Sequence, residues 1–180
     1  MKIGIISDTH DRLESVKRAT EIFKDNKVEM IIHAGDWVSP FVLDYFDSAM
    51  DGFKVPVKSI FGNNEKGEDR FENHSETLSN PIEFHKDPFE IEIDSKKILV
   101  SHGTDQEELQ KMIDSQKYDV IFTGHTHKIR YEMIGKTLVL NPGSTSFVYE
   151  SRIIDKASVA IFDTKNNDVK IIEFTKNDLL

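Results

Sequence analysis

Seven residues with nitrogen or oxygen donors stand out for where they fall: Asp8, His10, Asp36, Asn63, His102, His125 and His127. Each closely follows a short apolar run. Lys2-Ile3-Gly4-Ile5-Ile6 ends in Ser7-Asp8-Thr9-His10. An Asp-x-His pair just past a strand can aim both side chains at one point, as a metal half-site requires. One such pair carries little weight; its recurrence carries the argument. Later runs stop at Gly35-Asp36, Gly62-Asn63, His102-Gly103 and Gly124-His125-Thr126-His127. Seven donors exceed what one ion needs and suit two ions if a carboxylate bridges them. Asp36, which has no second ligand beside it in sequence, is the natural bridge. Two ions about 3.5–4 Å apart form the clamp used in phosphoester hydrolysis.

The elements that must position these residues read as strands alternating with helices. After His10, Asp11 and Glu14 have capping-box spacing, and Leu13, Val16, Ala19, Thr20 and Phe23 make a helical stripe. Asp11 is therefore read as a helix cap. A strand over 29–33 follows, and this succession implies a parallel pair with a crossover. Ser39-Pro40 reads as an N-cap and first helical position for a helix through Phe46. Val55 to Phe61 is a third strand, and 64–80 reads as loop with one helical turn. From Ile82 the apolar period becomes two. Thr104 and Glu107 cap a further helix, Tyr118 to Thr123 is a buried strand, and 141–144 is a loop. Residues 129–134 and 137–140, then 157–162 and 169–174, read as hairpins. The expected packing is a crossover half against a hairpin half, two sheets around one core.

Composition narrows the partners. With 180 residues, 38% hydrophobic and 31% charged, the chain suits one domain, 1–180, with a real core. A net charge of −9 and five arginines argue against wrapping nucleic acid by charge, so an anionic substrate needs local positive charge. The chain contains no cysteine, which excludes disulfides and thiolate metal sites. The start lacks the regions of a signal peptide, and no apolar run reaches the roughly 18 residues of a membrane span. The expectation is a soluble cytoplasmic protein.

The ordered set Asp8-x-His10, Gly35-Asp36, Gly62-Asn63, His102-Gly103 and Gly124-His125-x-His127 resembles the five motifs of the calcineurin-like metallophosphoesterases. Asn141-Pro142-Gly143-Ser144 resembles a further loop of their small, cap-less YfcE-type phosphodiesterase branch. The resemblance implies an α/β fold, a four-layer α/β/β/α sandwich of two mixed sheets. It implies one metal held by Asp8, His10, Asp36 and His127, and a second by Asp36, Asn63, His102 and His125. It further implies in-line attack on a phosphodiester by a hydroxide bridging the two metals. The ligand types suit divalent transition metals, manganese foremost, with nickel, iron, cobalt or zinc also compatible. The implied partner is a small phosphodiester, and a homodimer is expected by resemblance alone.

One departure concerns the position after Asn63. Many family members have histidine there, close to the leaving group; here it is Asn64, which cannot act as a general acid near neutral pH. Acid catalysis contributes about 10²–10⁴-fold, so Asn64 points to good leaving groups or modest turnover. Asn64 remains a candidate to hydrogen-bond a phosphate oxygen, and Asp36, Asn63, Asn64 and His102 form the expected catalytic set. Glu65 reads as a solvated loop acid, His33 as a structural histidine, His74 and His85 as surface residues, and Thr126 and Ser144 as supporting hydrogen bonders. Two alternatives stand beside the phosphodiesterase: a phosphomonoesterase or nuclease on the same metals, and a non-catalytic scaffold like the similar retromer subunit. Retention of both His125 and His127 favours the enzyme.

Overall fold

Strand β1 (Lys2–Ile6) shows how the sequence sorts into layers. Ile3 and Ile5 turn toward one apolar cluster, while Ile6 joins another on the opposite face. Such two-faced burial demands layers on both sides. The computed structural model describes residues 1–149 and 152–179, and within them the remaining strands repeat this division.

The chain continues through α1 (Leu13–Asp25), β2 (Met30–His33), α2 (Val42–Ala49), β3 (Val57–Ile60), α3 (Glu68–Ser75) and β4 (Ile82–His85). It then forms β5 (Phe89–Ile93), β6 (Lys96–Ser101), α4 (Gln106–Asp114) and β7 (Val120–Thr123). The last third holds β8 (Ile129–Ile134), β9 (Thr137–Pro142), β10 (Val148–Tyr149), β11 (Arg152–Ile153), β12 (Lys156–Asp163) and β13 (Asp168–Thr175). One large sheet has the order β13-β12-β1-β2-β3-β4, the other β5-β6-β7-β9-β8, and β10 and β11 pair as a separate two-stranded ribbon. Ile3, Ile5 and Ile32 meet Ile98, Val100, Phe122 and Leu140 between them. Helices α1, α2 and α3 cover the outer face of the first sheet through Val16, Phe23, Phe46 and Phe71. Helix α4 covers the second through Leu109 and Ile113 against Leu99, Ile121 and Val139. The result is the expected four-layer α/β/β/α sandwich.

The expected division into a crossover half and a hairpin half does not hold. Both sheets mix parallel strands with hairpins: β12-β13 joins β1 antiparallel in the first, and β5-β6 and β8-β9 flank β7 in the second. The hairpins complete the sheets because β1 and β7 each have an edge left to pair.

Three smaller expectations also change. Residues 68–75 form two helical turns, not one, because Phe71 and Ser75 share a buried face. Phe71 stands edge-on to Phe61 and Phe84, so a single aromatic anchors a helix whose pattern is too thin to read. Asn141 and Pro142 belong to β9, opposite Arg130 and Ile129. The proposed caps are spent elsewhere: Asp11 accepts hydrogen bonds from the Ser39 backbone and hydroxyl at 3.0 and 2.7 Å, tying two loops together. Neither α1 nor α2 has a side-chain cap, and α4 is capped by Asp105 rather than Thr104.

Candidate active site

The strands β1, β2 and β3 run parallel in the first sheet, and β6 and β7 run parallel in the second. The loops leaving their C-terminal ends meet along one edge. The crevice outside such strand ends is where open parallel sheets bind ligands. All seven expected residues lie in these loops.

The loops bend sharply. Asp8, His10, Asp36, His125 and His127 all have positive φ, between 44 and 67°. Non-glycine residues rarely adopt this backbone, and each instance costs on the order of 1–3 kcal/mol. Gly62 and Gly124 allow the close approach: a Cβ on Gly62 would lie 2.2 Å from Asp36 Oδ1, and one on Gly124 2.0 Å from Ser7 Oγ.

Asp8 is fully buried. Its Oδ2 accepts from Ser7 Oγ at 2.6 Å and from the His125 backbone N–H at 3.0 Å. Its Oδ1 faces His127 Nε2 at 3.2 Å and His10 Nε2 at 3.9 Å. Asp36 Oδ2 lies 3.4 Å from both His10 Nε2 and His102 Nε2. Asn63 Oδ1 lies 3.1 Å from His102 Nε2 and 2.8 Å from His125 Nδ1. Potential ligand atoms of Asp8, His10 and His127 all lie within 4.8 Å of one another, as do those of Asp8, Asp36 and His102.

Two carbonyls set the histidine tautomers. His102 Nδ1 donates to Ala34 O at 2.7 Å, and His127 Nδ1 donates to Val148 O at 2.5 Å. That leaves both Nε2 atoms aimed into the cluster. There, among the described residues, His102 Nε2 meets only the acceptors of Asp36 and Asn63, so a proton or a cation is needed to make the contact attractive. The electrostatics agree. Burial favours a neutral His102 ring, yet the Asp36 and Asp8 carboxylates lift it from 6.5 to about 9. Burial opposes charge on Asp8, but the His10 and His127 rings hold its carboxyl far below the usual range. Asp36 is likewise lowered, by His102 and Asn64 against burial. His127 is raised by Asp8 in spite of burial, whereas burial and the neighbouring His102 lower His125. The buried carboxylates thus draw positive charge to this point, which is what a metal site needs. Asp8 Oδ1 and His10 Nε2 are also buried without a hydrogen-bond partner among the described residues, so the donor set fits divalent metal.

The supporting residues were partly misjudged from sequence. Asn64 donates from its backbone to Asp36 Oδ1 at 2.9 Å and from its side chain to Oδ2 at 2.6 Å, orienting the carboxylate. Glu65 is not a solvated loop acid. It accepts from the backbone N–H groups of Asp36, Val38 and Gly62, joining the β2 and β3 loops, and burial pushes its carboxyl up. No spacing rule marks an acid that serves only backbone donors. His33 is structural, as expected: Nδ1 accepts from Gly35 N–H and the ring stacks 3.7 Å from Trp37. Ser144 Oγ donates to Asp8 O, and Asn141 Nδ2 donates to Gly124 O and Thr126 Oγ1. His74 and His85 are only partly exposed, each beside a carboxylate, Asp44 and Glu83.

Residues 1–167 match the family model described as "Calcineurin-like phosphoesterase superfamily domain", and the chain belongs to that family. It is 34% identical over 172 residues to Phosphodiesterase MJ0936 of Methanocaldococcus jannaschii, covering 96% of this chain and 98% of that one. A probable metallophosphoesterase of Methanothermobacter thermautotrophicus is 29% identical over 181 residues, covering 96% of this chain and 92% of its own. A solved archaeal phosphodiesterase superposes with a TM-score of 0.84 at 33% identity, covering 97% of this chain and all of its own. YfcE, a phosphoesterase from E. coli, shares the fold, with a TM-score of 0.64 at 19% identity over 97% of this chain and 99% of its own.

Proposed function

We propose that this chain is a metal-dependent phosphodiesterase that works with two divalent ions. The observation that carries the reading is the convergence of seven nitrogen and oxygen donors from both sheets, with Asp8 Oδ1 and His10 Nε2 buried and unpartnered among the described residues. The 34% identity to an archaeal phosphodiesterase over nearly the whole length supports the diester assignment. Asp8, His10, Asp36 and His127 would hold one ion, and Asp36, Asn63, His102 and His125 the other, with manganese the first candidate. When bound, such ions neutralise phosphate charge and make water a nucleophile near neutral pH.

The protein's own part is to hold geometry. Ala34 O and Val148 O fix which ring nitrogens of His102 and His127 face inward. Asn64 holds both oxygens of Asp36, and Ser7 with the His125 backbone holds Asp8. Asn64, as an amide, cannot deliver a proton to a leaving oxygen, so substrates with good leaving groups are preferred. The reading treats 1–180 as one catalytic domain acting in the cytoplasm on a small diester, with a homodimer as its expected assembly.

The test compares hydrolysis of bis-p-nitrophenyl phosphate and p-nitrophenyl phosphate by metal-stripped protein titrated with manganese, nickel, zinc or magnesium. Diester hydrolysis should require transition metal, exceed monoester hydrolysis, and vanish in Asp36→Asn and His125→Ala. Dominant monoester hydrolysis would overturn the diester assignment. Two bound metals without turnover of either compound would point to a scaffold.

A further inference from the structure

A cleft of ≈ 520 Å³ adjoins the metal cluster, within the ~300–1,000 Å³ typical of small-molecule sites. The two walls come from the β2–α2 loop and from α3 with the loop before it. Asn64 belongs to both places: it lines the cleft and hydrogen-bonds Asp36. Whatever extends from a phosphate held at the metals therefore has this cleft beside it.

The lining chemistry is selective. Lys66 and Arg70 stand exposed in the cleft, and neither side chain forms a hydrogen bond or ion pair among the described residues. His74, also in the lining, lies 3.0 Å from Asp44 of the neighbouring helix α2, whose other acid, Asp47, accepts from Ser79 and Asn80. The other wall presents Phe41, which remains 47% exposed. In a chain of net charge −9, two cations without a hydrogen bond or ion pair among the described residues thus line one cleft with a half-exposed aromatic residue beside the reaction centre. A simple diester bearing one charge would leave those cations unused.

We infer that this cleft seats a second anionic group of the substrate, carried on a portion with a planar ring that lies against Phe41. The substrate class is thus a nucleotide-like diester bearing a further phosphate. Lys66 and Arg70 bind that phosphate by charge-assisted hydrogen bonds, and Phe41 stacks on the ring. The assignment deepens the phosphodiesterase reading and rests on the metal cluster holding the scissile phosphate.

Binding tests it without turnover. Manganese-loaded protein is titrated calorimetrically with adenosine 3′,5′-bisphosphate and with adenosine 5′-monophosphate. The wild type should bind the bisphosphate about tenfold more tightly, and a Lys66→Ala/Arg70→Ala variant should lose that preference. Phe41→Ala should weaken both ligands alike. A wild type that does not discriminate, or a preference that survives the double substitution, overturns the inference. Hydrolysis of bis-p-nitrophenyl phosphate, which has no second anion, should be unchanged in the double variant. If the wild type fails that hydrolysis, the phosphodiesterase reading falls, while the titration still decides what the cleft binds.

Discussion

At the scale of single residues, His33 differs from the histidines of the donor cluster. It is fully buried, and burial lowers its ring from 6.5 to about 3 in spite of the nearby carboxylates. The folded state therefore holds the ring neutral, while the unfolded chain takes up a proton below about 6.5. Stability from this residue is present above the unfolded value and falls as the pH drops toward 3, by about 2 kcal/mol between pH 7 and 5. His33→Asn keeps an acceptor for Gly35 N–H but cannot titrate. Urea unfolding of metal-free protein at pH 7 and 5 should show a smaller loss in the variant than in the wild type. Equal losses would refute the assignment. Residue types announced the cluster of donors because metal chemistry limits which side chains suit it, but they did not announce Glu65. Any acid of the right reach could accept from three backbone N–H groups, and only the fold places it there.

At the scale of elements, strand ends were legible and helix starts were not. A run such as Lys2–Ile6 declares its layer by burial on both faces, so its end locates Asp8 and His10. Caps are weaker signals, because Asp and Ser side chains can serve any backbone within reach. Asp11 and Ser39 bonded to each other across 28 positions, joining the loops that carry His10 and Asp36. The hairpin of β8 and β9 was legible from its Gly135-Lys136 turn, but the sheet it would join depends on which edge stays open. The turn after β7 is the tightest point. Gly124→Ala would press its Cβ to 2.0 Å from Ser7 Oγ and 2.9 Å from Asp8 Oδ2. Expected are a loss of about 1–3 kcal/mol in stability and at least a tenfold loss in manganese affinity, with circular dichroism unchanged. Wild-type affinity in this variant would show that the Asp8 carboxylate tolerates displacement.

At the scale of the whole molecule, the site joins the two sheets. Asp8, His10, Asp36 and Asn63 follow strands of the first, and His102, His125 and His127 follow strands of the second. Ions bound across that edge would bind the folded state alone, so saturation at 100 times the dissociation constant would contribute about 2.7 kcal/mol. For a chain of this size that corresponds to roughly 5–10 °C in melting temperature. Chelation should lower the calorimetric midpoint by that amount, and restored manganese should recover it; an unchanged midpoint would mean that the sheets hold together without metal. Among the described residues, no helix is long and apolar enough to cross a membrane.

The place of β12 between β13 and β1 bears on how the molecule is made. Gly4 pairs with Ile161, so the second strand to flank β1 emerges from the ribosome some 150 residues after it. All seven donors have been synthesised by residue 127, yet the strand that aims Asp8 and His10 still has an open edge. The edge of β1 therefore closes late in synthesis, and a chain arrested after Ser146 would carry all seven donors while exposing β1 to pairing with other chains.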